Sequence, residues 1–488
     1  MIKKLLLLCI TCMLCIGVCA YEELPAADIY PEKYIASPYH SITNIGDPFV
    51  MYDDASGKYY MYVTGGSYFK CYSSETMQSW TSEGDSYVVS DKSFGVKNYW
   101  APEVYKVKEN YYMVYSAMNA EGRYSIGLAK ANSPKGPFKD VYDSPLFAPD
   151  YSVIDASLLF DDDGRVYLFY SKDCSENVVA GFKTSQSFGI ELKKDLSGTV
   201  GEPVLLSTPV FAWESNSGST RWNEGPFVFK HGDIYYLLFS ANYYATEHYS
   251  VGYATAKSPL GPYTKAKDNP LLRGDKLHTA GTGHCAITRS PDSSELYISY
   301  HSHNNPYDLT KVNRIPCIDK LVVCKDGTLK VSGPSFAIQP LPSGTSGLYK
   351  KYDGVSVGST YQTLYGEAGD LTDEIVAHNN ITDGVYNFIC DSEKFIEIKY
   401  DIPLSLDSLW IYGVYSIRMT PKKVYAIIND TYKTKTYTFS SAAPLMPVVI
   451  DFGTLESGVK VQNVKLYFEG RDAYTPIGAL SEIITVYK

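Results

Sequence analysis

Short apolar runs separated by polar turns pattern the chain from about residue 38 onward, and no long amphipathic helical period interrupts them. One unit recurs along this stretch. A small or acidic residue leads into an apolar strand, a polar turn follows, and a Tyr-rich strand returns to end in Ser or Thr. The five copies open at Asp47-Pro48-Phe49-Val50, Ala101-Pro102-Glu103-Val104, Asp155-Ala156-Ser157-Leu158, Glu224-Gly225-Pro226-Phe227 and His284-Cys285-Ala286-Ile287. Steps between the openings are 54, 54, 69 and 60 residues, and Tyr60, Tyr112, Tyr167, Tyr236 and Tyr297 fall 11 to 13 residues into their copies. Hairpin chemistry lies between the two strands, as in Asp54-Ala55-Ser56-Gly57, Asp162-Asp163-Gly164 and His231-Gly232-Asp233. A second repeat keeps the register: Ser133-Pro134-Lys135-Gly136-Pro137-Phe138 returns as Ser258-Pro259-Leu260-Gly261-Pro262-Tyr263, 125 residues and two units later.

Repeats of this length, each worth two hairpins of short strands, are what a β-propeller requires. They predict an all-β chain with a five-bladed β-propeller over residues 38–345. A sandwich of unrelated hairpins is the alternative, and the constant internal spacing speaks against it. The Gly/Ser/Pro-rich stretch 340–347 ends the repeats. Beyond it, residues 350–488 carry short alternating strands at 395–400, 408–412 and 464–468, which predict a C-terminal β-sandwich.

In a propeller the innermost strands turn their first residues toward the central axis. Asp47, Ala101, Asp155, Glu224 and His284 are therefore expected to converge at one end of a funnel. Singly, each has an ordinary reading: Asp-Pro opens turns, Asp155 caps its own loop, Glu224 sits at the surface, and a lone His hydrogen-bonds in a core. Their recurrence at one repeat position favours a shared site, because converging acids raise one another's pKa and a fold avoids that without a use for it. Acetal hydrolysis uses such a set. One protonated acid serves the leaving oxygen, one ionised base activates water, and a third acid holds the first one's pKa high.

Composition and charge narrow the partner. Tyrosine is abundant, with 45 residues against five Trp and 19 Phe, and it suits strands and surfaces that meet amphipathic ligands. A net charge of -10 argues against nucleic acid or anionic lipid as partner. Lys3 and Lys4 precede an apolar run from Leu5 to Val18, and Val18-Cys19-Ala20 offers a cleavage site. This predicts a signal peptide over residues 1–20, too short for a membrane span, and a secreted or periplasmic mature chain with no membrane partner. Val18 before Cys19 disfavours a lipoprotein. Outside the leader, Cys71, Cys174, Cys285, Cys317, Cys324 and Cys390 are sparse and lack CxxC spacing; Cys317 and Cys324 read equally as a short-hairpin disulfide or as free thiols.

Five motifs in order now resemble those of glycoside hydrolase family 43, the inverting five-bladed-propeller arabinofuranosidases, xylosidases, arabinanases and galactanases. They are Gly46-Asp47-Pro48-Phe49, Tyr99-Trp100-Ala101-Pro102-Glu103-Val104, Ile154-Asp155-Ala156-Ser157, Asn223-Glu224-Gly225-Pro226-Phe227 and Gly281-Thr282-Gly283-His284, and the match covers about residues 40–345. The resemblance implies Asp47 as general base, Glu224 as general acid, and Asp155 as the acid that tunes Glu224 and orients the sugar. It implies Arg314, in Asn313-Arg314-Ile315-Pro316, as a contact to the terminal sugar, and a guanidinium there is expected to offset the crowding of Glu224 and Asp155. Trp100 is expected either to wall a sugar face or to pack between blades. His284 resembles the axial histidine that in many members sits at a hydrated calcium ion. Cys285 after it departs from the usual His, Asn or Ser, which bears on that ion more than on catalysis. Ile381-Thr382-Asp383-Gly384 and the closing 479–483 look like discoidin-type modules, whose role is carbohydrate binding or packing. The expected activity is exo-acting release of α-L-arabinofuranosyl or β-D-xylosyl ends from plant cell-wall polysaccharide or oligosaccharide, with the insert 174–221 walling the funnel. Endo-arabinanase or galactan-directed action and a non-catalytic carbohydrate-binding propeller are the alternatives.

Overall fold

Each repeat unit folds as the inner hairpin of one antiparallel sheet in the computed structural model. Gly46–Asp53 pairs with Lys58–Thr64, Lys97–Val107 with Asn110–Met118, and Val153–Phe160 with Val166–Lys172. Asn223–His231 pairs with Ile234–Ala241 and Gly283–Arg289 with Leu296–His303. Outer strands complete five sheets that span 46–85, 97–140, 153–207, 223–273 and 283–331 in chain order. Inner strands touch their neighbours around the ring, and the first touches the fifth, which closes a five-bladed propeller. The entering segment lies on the fifth blade, with the Tyr39 N–H donating to Pro316 O at 3.0 Å and the Ile45 N–H to Arg314 O at 3.2 Å. The structure describes Glu22–Glu23 and residues 34–488, apart from 66–67, 217, 276–278, 336, 351, 377–383, 442–444, 454, 456–457, 473 and 475. The signal peptide expected at 1–20 and the motif residues Ile381, Thr382 and Asp383 lie outside the described residues.

Many of the strand tyrosines go into the core: Tyr62, Tyr87, Tyr115, Tyr170, Tyr236 and Tyr300 are fully buried. Their rings fill the wedges between blades while their hydroxyls find buried acceptors, as a buried phenol must. Tyr87 and Tyr115 both donate to Asp140, at 2.6 and 2.5 Å, and Tyr300 donates to Asp319 at 2.6 Å. Part of the insert 174–221 is blade: Gln186–Leu192 and Thr199–Ser207 are the outer strands of the third sheet. Outside them, Val178–Val179, Phe182–Thr184 and Thr220–Arg221 form a small separate sheet, and Ala212–Glu214 is a short helical turn. All six described cysteines are free thiols, Cys317 and Cys324 included.

After the propeller, a large sheet built around Lys423–Ile428, Val461–Glu469 and Ile396–Leu404 faces a smaller one of Val448–Asp451, Leu406–Tyr412 and Glu482–Tyr487. Ile398, Val424 and Leu466 from the first meet Leu409, Ile411, Ile450 and Ile483 from the second in one apolar core, the arrangement of a β-sandwich. A buried charge cluster ties the parts together. Glu295 of the fifth blade accepts from Lys320 at 2.9 Å and from Lys350 of the connecting segment at 3.4 Å, and Lys320 also pairs with Glu374 of the sandwich.

Burial opposes ionisation of Glu295, but Lys320 and Lys350 outweigh it and hold the carboxyl well below the usual range. Glu295→Gln strands one ammonium in the interior. The expected cost is about 3 kcal/mol, the low end for a broken buried pair, since Lys350 is already pushed down to about 8 by burial and can shed its proton. A depressed carboxyl pKa stabilises the fold above the unfolded value and loses that contribution as pH falls. The gap between wild type and variant in urea unfolding should thus be widest near pH 5, narrow toward pH 8 as Lys350 sheds its proton, and shrink below about pH 4 as Glu295 is protonated. A gap that widens as pH falls below about 4 would contradict this account.

Candidate active site

At the mouth of every inner strand the backbone takes a left-handed turn. Asp47, Ala101, Asp155, Gly225 and His284 all sit at φ between +48° and +58°, and each inner ladder slips register immediately afterwards. A left-handed residue costs a non-glycine roughly 1–2 kcal/mol, and such strain gathers where a side chain must be aimed. These five positions correct the repeat alignment. The fourth left-handed residue is Gly225, so the true steps are 54, 54, 70 and 59, and Glu224 stands one residue earlier, in the column of Gly46, Trp100, Ile154 and Gly283. Matching acid to acid misplaced it, because the bulge and not the charge sets the register.

Asp47, its side chain 11% exposed, has its Oδ1 3.0 Å from Nη1 of Arg314 and 3.5 Å from Nδ1 of both His284 and His301. Burial would raise its pKa, but Arg314 first, then the two imidazoles, hold the carboxyl far below the ordinary range. Arg314 therefore answers Asp47, not the Glu224 and Asp155 pair that its charge was expected to offset. Glycine at position 46 makes this possible: a β-carbon there would lie 2.1 Å from Nη2 of Arg314. The other face of the guanidinium stands 4.9 Å from the ring centre of Tyr244.

Glu224 has the opposite environment. Its Oε1 accepts from the Tyr249 hydroxyl at 3.0 Å, and burial together with the charge of Asp155 pushes its pKa well above the usual carboxylate range. Asp155 is also raised, by burial first, yet its Oδ2 accepts both the Gly225 N–H and the Ser171 hydroxyl at 3.1 Å. Those donors favour its charged form, so between the two the proton belongs to Glu224. One pit thus holds an ionised carboxylate and a protonated one. Below it, Glu103 is buried against the Tyr105 hydroxyl, and burial pushes it up to about 8.

The rim is aromatic. Trp100, half-buried, stacks on Tyr124 at 4.6 Å, and Trp222 packs on Tyr243 at 5.4 Å, with Tyr244 against Tyr243 at 4.8 Å. His284 sits between Asp47 and the Gly225 backbone, whose β-carbon position lies 3.2 Å from its Nδ1. Among the described residues no three His, Cys, Asp or Glu side chains converge as a metal cage. The residues present do not form the oxygen-rich shell that calcium takes, and a cation at His284 would rest on water and one imidazole. Tyr249, His301 and Tyr244 are site neighbours that motif reading missed. His301 alone carried a signal, since it replaces the Ser or Thr that ends the other units.

A family model described as glycosyl hydrolases family 43 matches residues 41–329, more than half of the chain. The chain belongs to that family. A solved thermostable family-43 glycoside hydrolase is 41% identical, with a TM-score of 0.60 over 64% of this chain and 99% of its own. Similar by sequence is the β-D-galactofuranosidase xynD of Aspergillus niger, 26% identical over 63% of this chain and 90% of its own length. An arabinoxylan arabinofuranohydrolase of Paenibacillus polymyxa is also 26% identical, over 55% of this chain, which spans only 44% of that protein. As a family-43 member the chain is a glycoside hydrolase, and the five-bladed propeller read from the repeats is the family's catalytic fold.

Proposed function

We propose that this family-43 chain is a secreted, inverting, exo-acting hydrolase that removes α-L-arabinofuranosyl or β-D-xylosyl ends from plant cell-wall polysaccharide. The observation that carries the reading is the opposed protonation of two carboxyls in one pit: Asp47 ionised by Arg314, Glu224 protonated by burial and Asp155. Asp47 accepts a proton from water as the water oxygen attacks the anomeric carbon. Glu224 gives its proton to the glycosidic oxygen as that bond breaks, so configuration inverts at carbon. Asp155, anchored by Ser171 and the Gly225 amide, keeps Glu224 protonated, while Arg314 and the Trp100–Tyr124 pair face sugar hydroxyls and an apolar sugar face. Relatives named for arabinofuranose, xylose and galactofuranose substrates support the pentose or furanose class.

The test is turnover of nitrophenyl α-L-arabinofuranoside, β-D-xyloside and β-D-galactofuranoside, with the anomer first released read by proton NMR. One substrate should dominate and its product should appear inverted. A retained anomer would overturn the mechanism. Turnover confined to internal bonds of debranched arabinan would replace exo by endo action, and binding without any turnover would leave a carbohydrate-binding propeller.

A further inference from the structure

A hydrogen-bonded clasp joins each blade to the next at the left-handed turn. The Ala101 N–H donates to Thr64 Oγ1 at 2.7 Å, Asp155 N–H to Ser116 Oγ at 2.8 Å, Gly225 N–H to Ser171 Oγ at 3.1 Å, and His284 N–H to Ser240 Oγ at 2.8 Å. The fifth clasp closes the ring, and there the Asp47 N–H donates to Nδ1 of His301 at 3.2 Å. All five acceptors occupy one register position. Gly46 faces Thr64, Trp100 faces Ser116, Ile154 faces Ser171, Glu224 faces Ser240, and Gly283 faces His301. Four hydroxyls and one imidazole therefore do the same structural task.

The difference lies in the proton each acceptor carries. A hydroxyl that accepts an amide still has a hydrogen to give, and Ser171 gives it to the carboxylate of its own blade, Asp155. Thr64 likewise favours the charged form of its own blade's Asp47. In the fifth blade the matching residue is His284, so a hydroxyl at 301 would have no carboxylate of its own. The carboxylate oxygen in reach would be Asp47 Oδ1, 3.5 Å from His301 Nδ1. A backbone N–H can only donate, so Nδ1 must be the lone-pair nitrogen, and the ring's hydrogen sits on Nε2. His301 is fully buried, and among the described residues no hydrogen-bond partner reaches that Nε2. Burial and then Arg314 hold the imidazole neutral. Its face also lies on Tyr249, 5.5 Å away at 13°, and Tyr249 holds Glu224.

Building on the roles proposed above, we propose that His301 is a positioning residue for the base: a proton-free clasp that anchors Asp47 without hydrogen-bonding its carboxylate. It leaves a lone pair on the Asp47 carboxylate, beside the Arg314 and Thr64 contacts, for the attacking water.

Four variants assayed on the preferred nitrophenyl glycoside test this. His301→Asn puts an acceptor oxygen at the place of Nδ1 and carries no hydroxyl proton, so kcat should stay within about threefold of wild type. His301→Ser restores the ring's own hydroxyl pattern, so thermal stability should hold while kcat falls roughly 30- to 100-fold with KM little changed. His301→Ala should lose both. The inference is overturned if the Ser variant is as active as wild type, if Asn is as impaired as Ser, or if activity merely follows thermal midpoint across the series. Asp47→Asn separates the layers: activity retained there would sink the base assignment itself, whereas a dead Asp47→Asn beside a normal His301→Ser would sink only the clasp.

Discussion

Asp47→Asn should lower kcat by roughly 10²- to 10⁴-fold, the range for loss of a positioned general base, with a native circular dichroism spectrum. The substitution is nearly isosteric, so the left-handed turn, the amide clasp and the neighbours Arg314 and His284 keep their geometry. What disappears is the lone-pair acceptor for the proton of the attacking water. Because Arg314 and the imidazoles hold the Asp47 carboxyl far below its ordinary range, it is ionised across the accessible pH span. In wild type, kcat/KM should therefore show no acid limb from this group above about pH 4. A variant with near-normal kcat, or an acid limb near pH 5 that disappears with Asp47, would remove Asp47 from the role of base.

Glu224→Gln should cost as much as Asp47→Asn, but unequally across substrates. A nitrophenolate departs with little help, whereas a sugar alkoxide needs its proton delivered. The loss on an oligosaccharide should approach the roughly 10⁴-fold end of the general-acid range and be far smaller on the nitrophenyl glycoside. The pH dependence follows from the raised pKa of Glu224. The group is protonated and active below that value and loses activity as pH climbs through it. The basic limb of kcat/KM should vanish in Glu224→Gln. In Asp155→Asn it should move to lower pH, because the charge that keeps Glu224 protonated is gone. Equal losses on both substrates, or an unmoved limb in Asp155→Asn, would contradict the assignment.

Much of this site was legible because the repeat carries it. Asp47, Asp155 and His284 fall on the left-handed residue that repeat spacing marks, and the five motifs mark the blades. The failures share a cause. Glu224 was aligned by its charge, but register is set by a backbone bulge whose one-residue offset no side-chain chemistry reports. Arg314 was assigned to the wrong carboxylates because 267 residues separate it from Asp47, and only the first blade meeting the fifth brings them to 3.0 Å. Tyr249 looked like any other strand tyrosine in a chain with 45 of them. Its role depends on Gly283, where a β-carbon would lie 2.2 Å from the Tyr249 ring.

The one-dimensional pattern was sufficient for the number of blades, the all-β class, the change of architecture near residue 345 and the presence of three candidate acids. Each of these is written in local periodicity, turn chemistry or residue type, which a strand expresses wherever it lies. Protonation is another matter. Whether a carboxyl is ionised depends on how much water it has lost and which charges stand within a few ångströms, and those neighbours come from different blades. The resemblance already implied Asp47 as base and Glu224 as acid. Only the closed ring supplied the cause, Arg314 beside Asp47 and burial with Asp155 around Glu224, and showed that His301 rather than a hydroxyl seals the joint between the last blade and the first.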